Sequence, residues 1–192
     1  MSAPRAEVNC PAERSTLWTV GHSTLDIGAL LANLKRNAIE VIADVRRFAG
    51  SRRYPQFGAS ALARSLGAAD LAYAPLPELG GRRTPRPDSH NTVWRNASFR
   101  GYADYMETQA FDDAAARLAT IARARATAIM CAEAVWWRCH RALIADAFSV
   151  SGWRVLHIDD GGRVSPHPLT AAARNAGGRL SYRDDAEALR LF

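Results

Sequence analysis

The chain has 192 residues, enough for one domain with its own core, with or without tails. Hydrophobic residues make up 48% and charged residues 23%, which excludes a disordered or collagen-like chain. The formal net charge is +6, carried almost wholly by arginine, since Lys35 is the only lysine. Arginine suits a bidentate grip on phosphate, but an arginine-heavy chain also follows from a GC-rich genome. The balance permits a nucleotide or nucleic-acid partner without demonstrating one. No apolar run approaches the roughly 20 residues of a membrane span. Met1–Ser15 lacks a signal-peptide apolar stretch. With three cysteines, Cys10, Cys131 and Cys139, an odd number, the expectation is a cytoplasmic protein with thiols and no membrane partner.

Residues 1–15 read as a flexible N-terminal tail, and 16–192 as a single α/β domain. Leu17–Val20 is a first strand, ending in Gly21-His22-Ser23-Thr24. Ile27, Leu30, Leu31 and Leu34 then recur at helical spacing, with Thr24 or Asp26 as the cap. Val41–Val45 is a second strand, followed by an arginine- and aromatic-rich loop over Phe48–Phe57 and a short helix from near Ala59. Leu71–Leu76 is a third strand, closed by Pro77-Glu78-Leu79-Gly80-Gly81. A polar insert at about 82–98 reads as a lid or irregular loop. Helices follow through Tyr102 and Met106, and with Phe111, Ala115, Leu118 and Ile121 on one face. Ala128–Cys131 is a fourth strand, Arg138–Phe148 a helix, Trp153–Ile158 a fifth strand, and Ala186–Phe192 a short closing helix. Alternation of strands and helices predicts an α/β fold, a mostly parallel sheet of about five strands with helices on both faces. Such sheets bind ligands outside the carboxyl ends of their strands.

Those ends carry the chemistry. They supply His22 and Ser23, then Asp44 and Arg46, then Glu78 and two glycines, then Cys131 and Glu133, then His157 and Asp159. Period-two alternation puts Cys131 and Glu133 on one side, and likewise Asp44 and Arg46, which equally suits an internal ion pair bracing the loop. Arg138-Cys139-His140-Arg141 opens a helix, where a thiolate and a neutral imidazole are favoured and free amides bind an anion. Cys139 and Cys131 fit small buried hydrophobes as well. The stretch from Arg46 to Tyr54, with Arg52 and Arg53 and the nearby Arg82, Arg83 and Arg86, suits phosphates and stacked bases, or a solvated basic face. Trp94, Trp136 and Trp137 either line a pocket or pack ordinarily. Gly80-Gly81 gives either a close backbone approach to a ligand or a turn. His90 and His167 read as ordinary loop histidines.

The segments Thr19-Val20-Gly21-His22-Ser23, Asp44-Val45-Arg46, Ser51-Arg52-Arg53-Tyr54-Pro55-Gln56-Phe57 and Leu79-Gly80-Gly81 resemble the domain of unknown function 488 family. So do Phe99-Arg100-Gly101-Tyr102, Met130-Cys131-Ala132-Glu133, Cys139-His140-Arg141 and His157-Ile158, in order from about residue 17 to 159. Ala49 departs from the pattern, which tends to carry proline after the aromatic. The resemblance implies a shared α/β fold and a shared pocket, but supplies no activity.

Three functions follow from these residues. One is an enzyme acting on a phosphate-bearing substrate: a nucleotide, a nucleotide-derived metabolite or nucleic acid. Cys131 is then the nucleophile, Glu133 or His140 the acid/base partner, and His22 and Asp44 further catalytic candidates. Ser23, Arg46, Arg52, Arg53, Arg82 and Arg141 are the anion-binding candidates. The second is a non-catalytic nucleic-acid-binding module. The third is a metal-binding protein using Cys131, Cys139 and His140, although C-x7-C-H is not a standard zinc knuckle. Cys131 followed by Arg138 is one residue longer than the phosphate loop of cysteine phosphatases and lacks its glycines. No Walker-type loop is present, and no G-x-G-x-x-G follows the first strand, so no cofactor is named by motif.

Overall fold

A computed structural model describes residues 15–50 and 52–183. The fold is α/β. Strands β1 (Thr16–Gly21), β2 (Val41–Asp44), β3 (Ala72–Pro75), β4 (Thr127–Cys131) and β5 (Arg154–Ile158) form a parallel sheet in the order β3-β2-β4-β1-β5. A sixth strand, β6 (Val164–Pro166), adds antiparallel to β5, so the sheet has one strand more than the sequence indicates. β6 has three exposed residues, one a proline, and gives no alternating apolar signal. A separate hairpin joins β7 (Arg174–Ala176) and β8 (Arg179–Ser181).

Helices cover both faces. α1 (Ile27–Arg36) and α2 (Ala59–Gly67) bring Leu30, Leu34, Leu62 and Leu66 against Val20, Ile42, Ala128 and Met130. α3 (Ala97–Met106), α4 (Gln109–Ala124) and α5 (Arg141–Val150) pack Tyr102, Leu118, Leu143 and Ile144 against Leu17, Ala43, Ile129 and Val155. Asp26 rather than Thr24 caps α1, accepting the Ala29 amide at 2.9 Å. The inward face of α4 is Phe111, Ala114, Leu118 and Ala122, so Ala115 and Ile121 are only partly buried. α5 begins three residues later than its sequence suggests. A 3-10 turn over Trp136–Arg138 comes first, held because Trp136 stacks on His157 with ring centroids 4.2 Å apart. The expected closing helix at Ala186–Phe192 lies outside the described residues, as does nearly all of the tail.

The insert at 82–98 is pinned. Asp104 of α3 accepts from the Arg86 amide, Ser89 and Asn91, while Glu107 accepts from Arg86 and His90. His90 is therefore an anchoring side chain.

A polar chain fastens α5 to β5 and β1 inside the sheet's second face. His167 Nε2 lies 2.9 Å from Asp146 Oδ1, His157 Nε2 lies 2.9 Å from His167 Nδ1, and Thr19 Oγ1 lies 2.7 Å from His157 Nδ1. With both rings neutral, each hydrogen bond has one direction: Thr19 donates to His157, His157 to His167, and His167 to Asp146. Asp146 also accepts from the Thr170 amide and hydroxyl and from Tyr182. His167 is thus a buried link, not an ordinary loop histidine. Burial, then His167 and the charge of Arg141, push the His157 pKa from 6.5 down to about 3.

Two outcomes follow. A Cβ on Gly21 collides with the Glu133 carbonyl oxygen and comes within 2.8 Å of Arg141 Nη2. Gly21→Ala should lower stability by about 3 kcal/mol, read as a lower denaturant midpoint at unchanged slope. Above pH 6.5 neither the folded nor the unfolded chain protonates His157, and its contribution is fully present. As pH falls below 6.5 the unfolded chain takes up a proton that the folded one refuses, so stability falls until about pH 3. Denaturant midpoints between pH 7 and 5 should decline, and His157→Gln should flatten that decline.

Candidate functional site

A cavity of about 450 Å³ opens outside the carboxyl ends of β2, β3 and β4. Cys131 ends β4, while Cys139 and His140 come from the turn before α5; all three line it. Arg46 and Arg47 after β2, Arg82 in the insert, and Arg138 contribute four guanidinium groups. Phe48, Phe99 and Tyr102 add aromatic wall, and among the described residues Glu133 is the one carboxylate lining it. Gly80 and Gly81 form no left-handed turn, and Gly81 lines the cavity. They let the strand-end loop touch its neighbours, since a Cβ would lie 2.5 Å from the Arg47 nitrogen at Gly80 and 2.9 Å from His140 Nδ1 at Gly81.

The two cysteines are a pair. Their sulfurs lie 2.8 Å apart, closer than two neutral thiols rest in simple contact, which marks a hydrogen bond between them. Cys131 Sγ accepts the Glu133 amide at 3.3 Å. Cys139 Sγ accepts the Arg141 amide at 3.5 Å and lies 3.4 Å from His140 Nδ1. His140 Nε2 faces the Val45 carbonyl at 3.1 Å, so that nitrogen carries a proton and Nδ1 is left to trade one with Cys139. Burial opposes a thiolate at both sulfurs. At Cys139 the hydrogen bonds from Cys131 and His140 and the charge of Arg141 outweigh burial, so its pKa falls well below the ordinary thiol value. At Cys131 burial and the bond to Cys139 push the pKa up. The two thiols titrate as a pair, and the directions favour a thiolate at Cys139 over one at Cys131.

Arg141 stands behind this pair. It is 1% exposed, and among the described residues no carboxylate pairs with it. Its Nη2 donates to the Glu133 and Ala134 carbonyls at 2.6 and 3.3 Å, and its Nη1 reaches Thr19 Oγ1 at 3.5 Å. Its Nε is buried without a hydrogen-bond partner among the described residues. Burial disfavours the guanidinium charge, but the Cys131–Cys139 pair outweighs this and raises its pKa.

The sheet divides the candidates read from sequence. Cys131, Cys139, His140 and Arg141 belong to the α3–α5 face. His22 and Asp44 lie on the other, out of the cavity. Asp44 accepts from the Arg46 amide, Arg46 Nε and Nη2, and the Tyr73 hydroxyl, so it forms the internal ion pair that braces the loop. His22 stacks on Phe57, donates Nδ1–H to the Ser23 carbonyl, and accepts Arg46 Nη1 on Nε2. Burial, then Arg46, lower its pKa to about 4. Arg46 bridges the two groups. Ser23, with φ of 42°, and the exposed Arg52 and Arg53 do not line the cavity, whereas Arg82 does. β4 ends at Cys131, so Glu133 reaches the cavity from a loop and not by strand alternation.

Sequence reasoning missed Arg138, Phe99 and Tyr102 as lining residues. The Tyr102 hydroxyl donates to the Leu79 carbonyl at 2.7 Å, and its ring lies 5.3 Å from that of His140. The Phe99-Arg100-Gly101-Tyr102 motif was the available signal. Trp94, Trp136 and Trp137 border a second cavity. For a metal, two thiolates on tetrahedral zinc stand about 3.8 Å apart, given Zn–S bonds of roughly 2.3 Å. The observed sulfurs are closer than that. Among the described residues no group of three or more His, Cys, Asp or Glu is arranged to hold a metal ion. Also among them, no helix is long and apolar enough to cross a membrane.

Neither the curated proteins nor the solved structures hold a match to this chain. A family model does match, over residues 26–148, which takes in Asp44–Arg46, the cysteine pair, His140 and Arg141. The chain belongs to the family described as Domain of unknown function DUF488.

Proposed function

We propose that the chain is a cysteine-dependent enzyme acting on a small phosphate-bearing substrate, a nucleotide or a nucleotide-derived metabolite. The observation that carries this reading is the close cysteine pair, backed by the buried Arg141 and opening on an arginine-lined cavity. Sequence reasoning gave the nucleophile to Cys131; the charge distribution favours Cys139 as the attacking sulfur, with Cys131 holding the proton.

The chemistry is a displacement at phosphorus. The Cys139 thiolate attacks the phosphorus, the ester oxygen leaves, and a cysteinyl-phosphate is released by water. Arg47, Arg82 and Arg138 take the phosphoryl oxygens, while Arg46, already bound by Asp44 and His22, gives fixed positive potential. Glu133 and His140 are the groups positioned to exchange the leaving-group proton. The cavity falls within the range of about 300–1,000 Å³ usual for small-molecule sites.

Alkylation of the full chain should give a Cys139 rate profile whose midpoint lies well below the free-thiol value of roughly 8.5. A panel of nucleotides and phosphate monoesters should then yield a substrate. Cys139→Ser should lower its kcat/KM by about 100-fold or more, and Arg138→Ala should raise KM by about tenfold, the loss of one charge-assisted contact. Unchanged turnover in both Cys139→Ser and Cys131→Ser sinks the nucleophile assignment. A non-catalytic nucleic-acid-binding role predicts instead no turnover, salt-sensitive binding, and a Cys139→Ser protein that binds like the wild type.

A further inference from the structure

The cysteine pair has a second chemistry open to it, independent of any phosphate ester. Two buried sulfurs 2.8 Å apart need only a small closure to bond. Both line a cavity open to small solutes. They are electronically unequal: Cys139 faces the Arg141 amide and His140 Nδ1, whereas Cys131 meets its partner sulfur and the amide and carbonyl of Glu133.

We propose that Cys131 and Cys139 form a dithiol–disulfide couple that reduces small hydroperoxides, with Cys139 as the attacking sulfur and Cys131 as the resolving one. The Cys139 thiolate attacks the terminal peroxide oxygen and the O–O bond breaks. The departing alkoxide takes a proton from solvent water in the cavity to become an alcohol, and Cys139 is left as a sulfenic acid. Cys131 then attacks the Cys139 sulfur. The S–S bond forms, the S–O bond breaks, and the hydroxide leaves with the Cys131 proton as water. The two sulfurs lose two electrons, and the peroxide gains them.

Arg141 makes the couple reversible. In the disulfide the buried guanidinium no longer faces a thiolate, and no carboxylate among the described residues replaces it. The oxidised form is therefore electrostatically penalised, which favours return by an external dithiol.

The reduced full-length protein would be exposed to hydrogen peroxide at pH 7, quenched with a maleimide and digested with trypsin. Cleavage at Arg125, Arg138 and Arg141 puts Cys131 in the peptide 126–138 and Cys139 in Cys139-His140-Arg141. The expected product is these two peptides joined and lighter by two hydrogens, reversed by dithiothreitol, and formed about tenfold faster than a free cysteine oxidises. In Cys131→Ser, a dimedone adduct should accumulate on Cys139; in Cys139→Ser, Cys131 should oxidise at the free-cysteine rate. Absence of the joined peptide from the wild-type digest overturns the proposal, as does its formation no faster than free cysteine oxidises. Dimedone labelling of Cys131 in Cys139→Ser at the wild-type rate overturns the assignment of the attacking sulfur. The wild-type map requires no variant to fold. Because it uses no phosphate ester, its failure and the failure of the phosphate reading remain separate results.

Discussion

A guanidinium buried, among the described residues, without a carboxylate partner is the constraint around which this chain is arranged. Removing Arg141 from water costs several kcal/mol unless negative charge or acceptors replace the lost hydration. The fold meets that need in two ways. It turns the Glu133 and Ala134 carbonyls onto Nη2, and it sets a pair of sulfurs where one proton fewer is stabilised. The thiolate and the buried arginine each make the other tolerable. Gly21 belongs to the same arrangement, since only the absence of a side chain there lets the Glu133 carbonyl and Arg141 approach β1.

The sheet keeps this arrangement apart from a second one. On the α1–α2 face, Asp44, Arg46, His22, Tyr73 and Phe57 form a saturated cluster that fixes the loop after β2. On the α3–α5 face lie the sulfurs, His140 and Arg141. Arg46 is the residue shared by both, bonded to the first and facing the cavity of the second. The first cluster works as scaffold for the arginine loop, and the second holds the reactive groups.

Much of the fold was legible because β2, β4 and β5 are short apolar runs and the helices carry clear inward leucines. β6 was not, because pairing to the edge of a finished sheet asks nothing apolar of Val164-Ser165-Pro166. Several cavity-lining residues, Arg46, Cys131 and Glu133 among them, were legible from their place after strands. The partition of the site was not, because whether Asp44 faces a cavity or an arginine depends on which face of the sheet its side chain takes. His167 and Asp146 were invisible as a pair, being 21 positions apart with no motif between them. The start of α5 was misjudged because the stack of Trp136 on His157 is a tertiary contact that overrides local helical pattern.

The hydrogen bonds from Arg141 through Thr19, His157 and His167 to Asp146 all run in one sense. Reversing one link alone leaves two acceptors or two donors facing each other elsewhere along the chain, so the links are coupled. Asp146, five positions along α5 from Arg141, therefore decides which lone pair of Thr19 is left for the guanidinium. The chain behaves as a rigid polar spine rather than a set of separate contacts. A carboxylate deep in the domain is thereby linked to the cation behind the sulfurs, without touching the cavity itself.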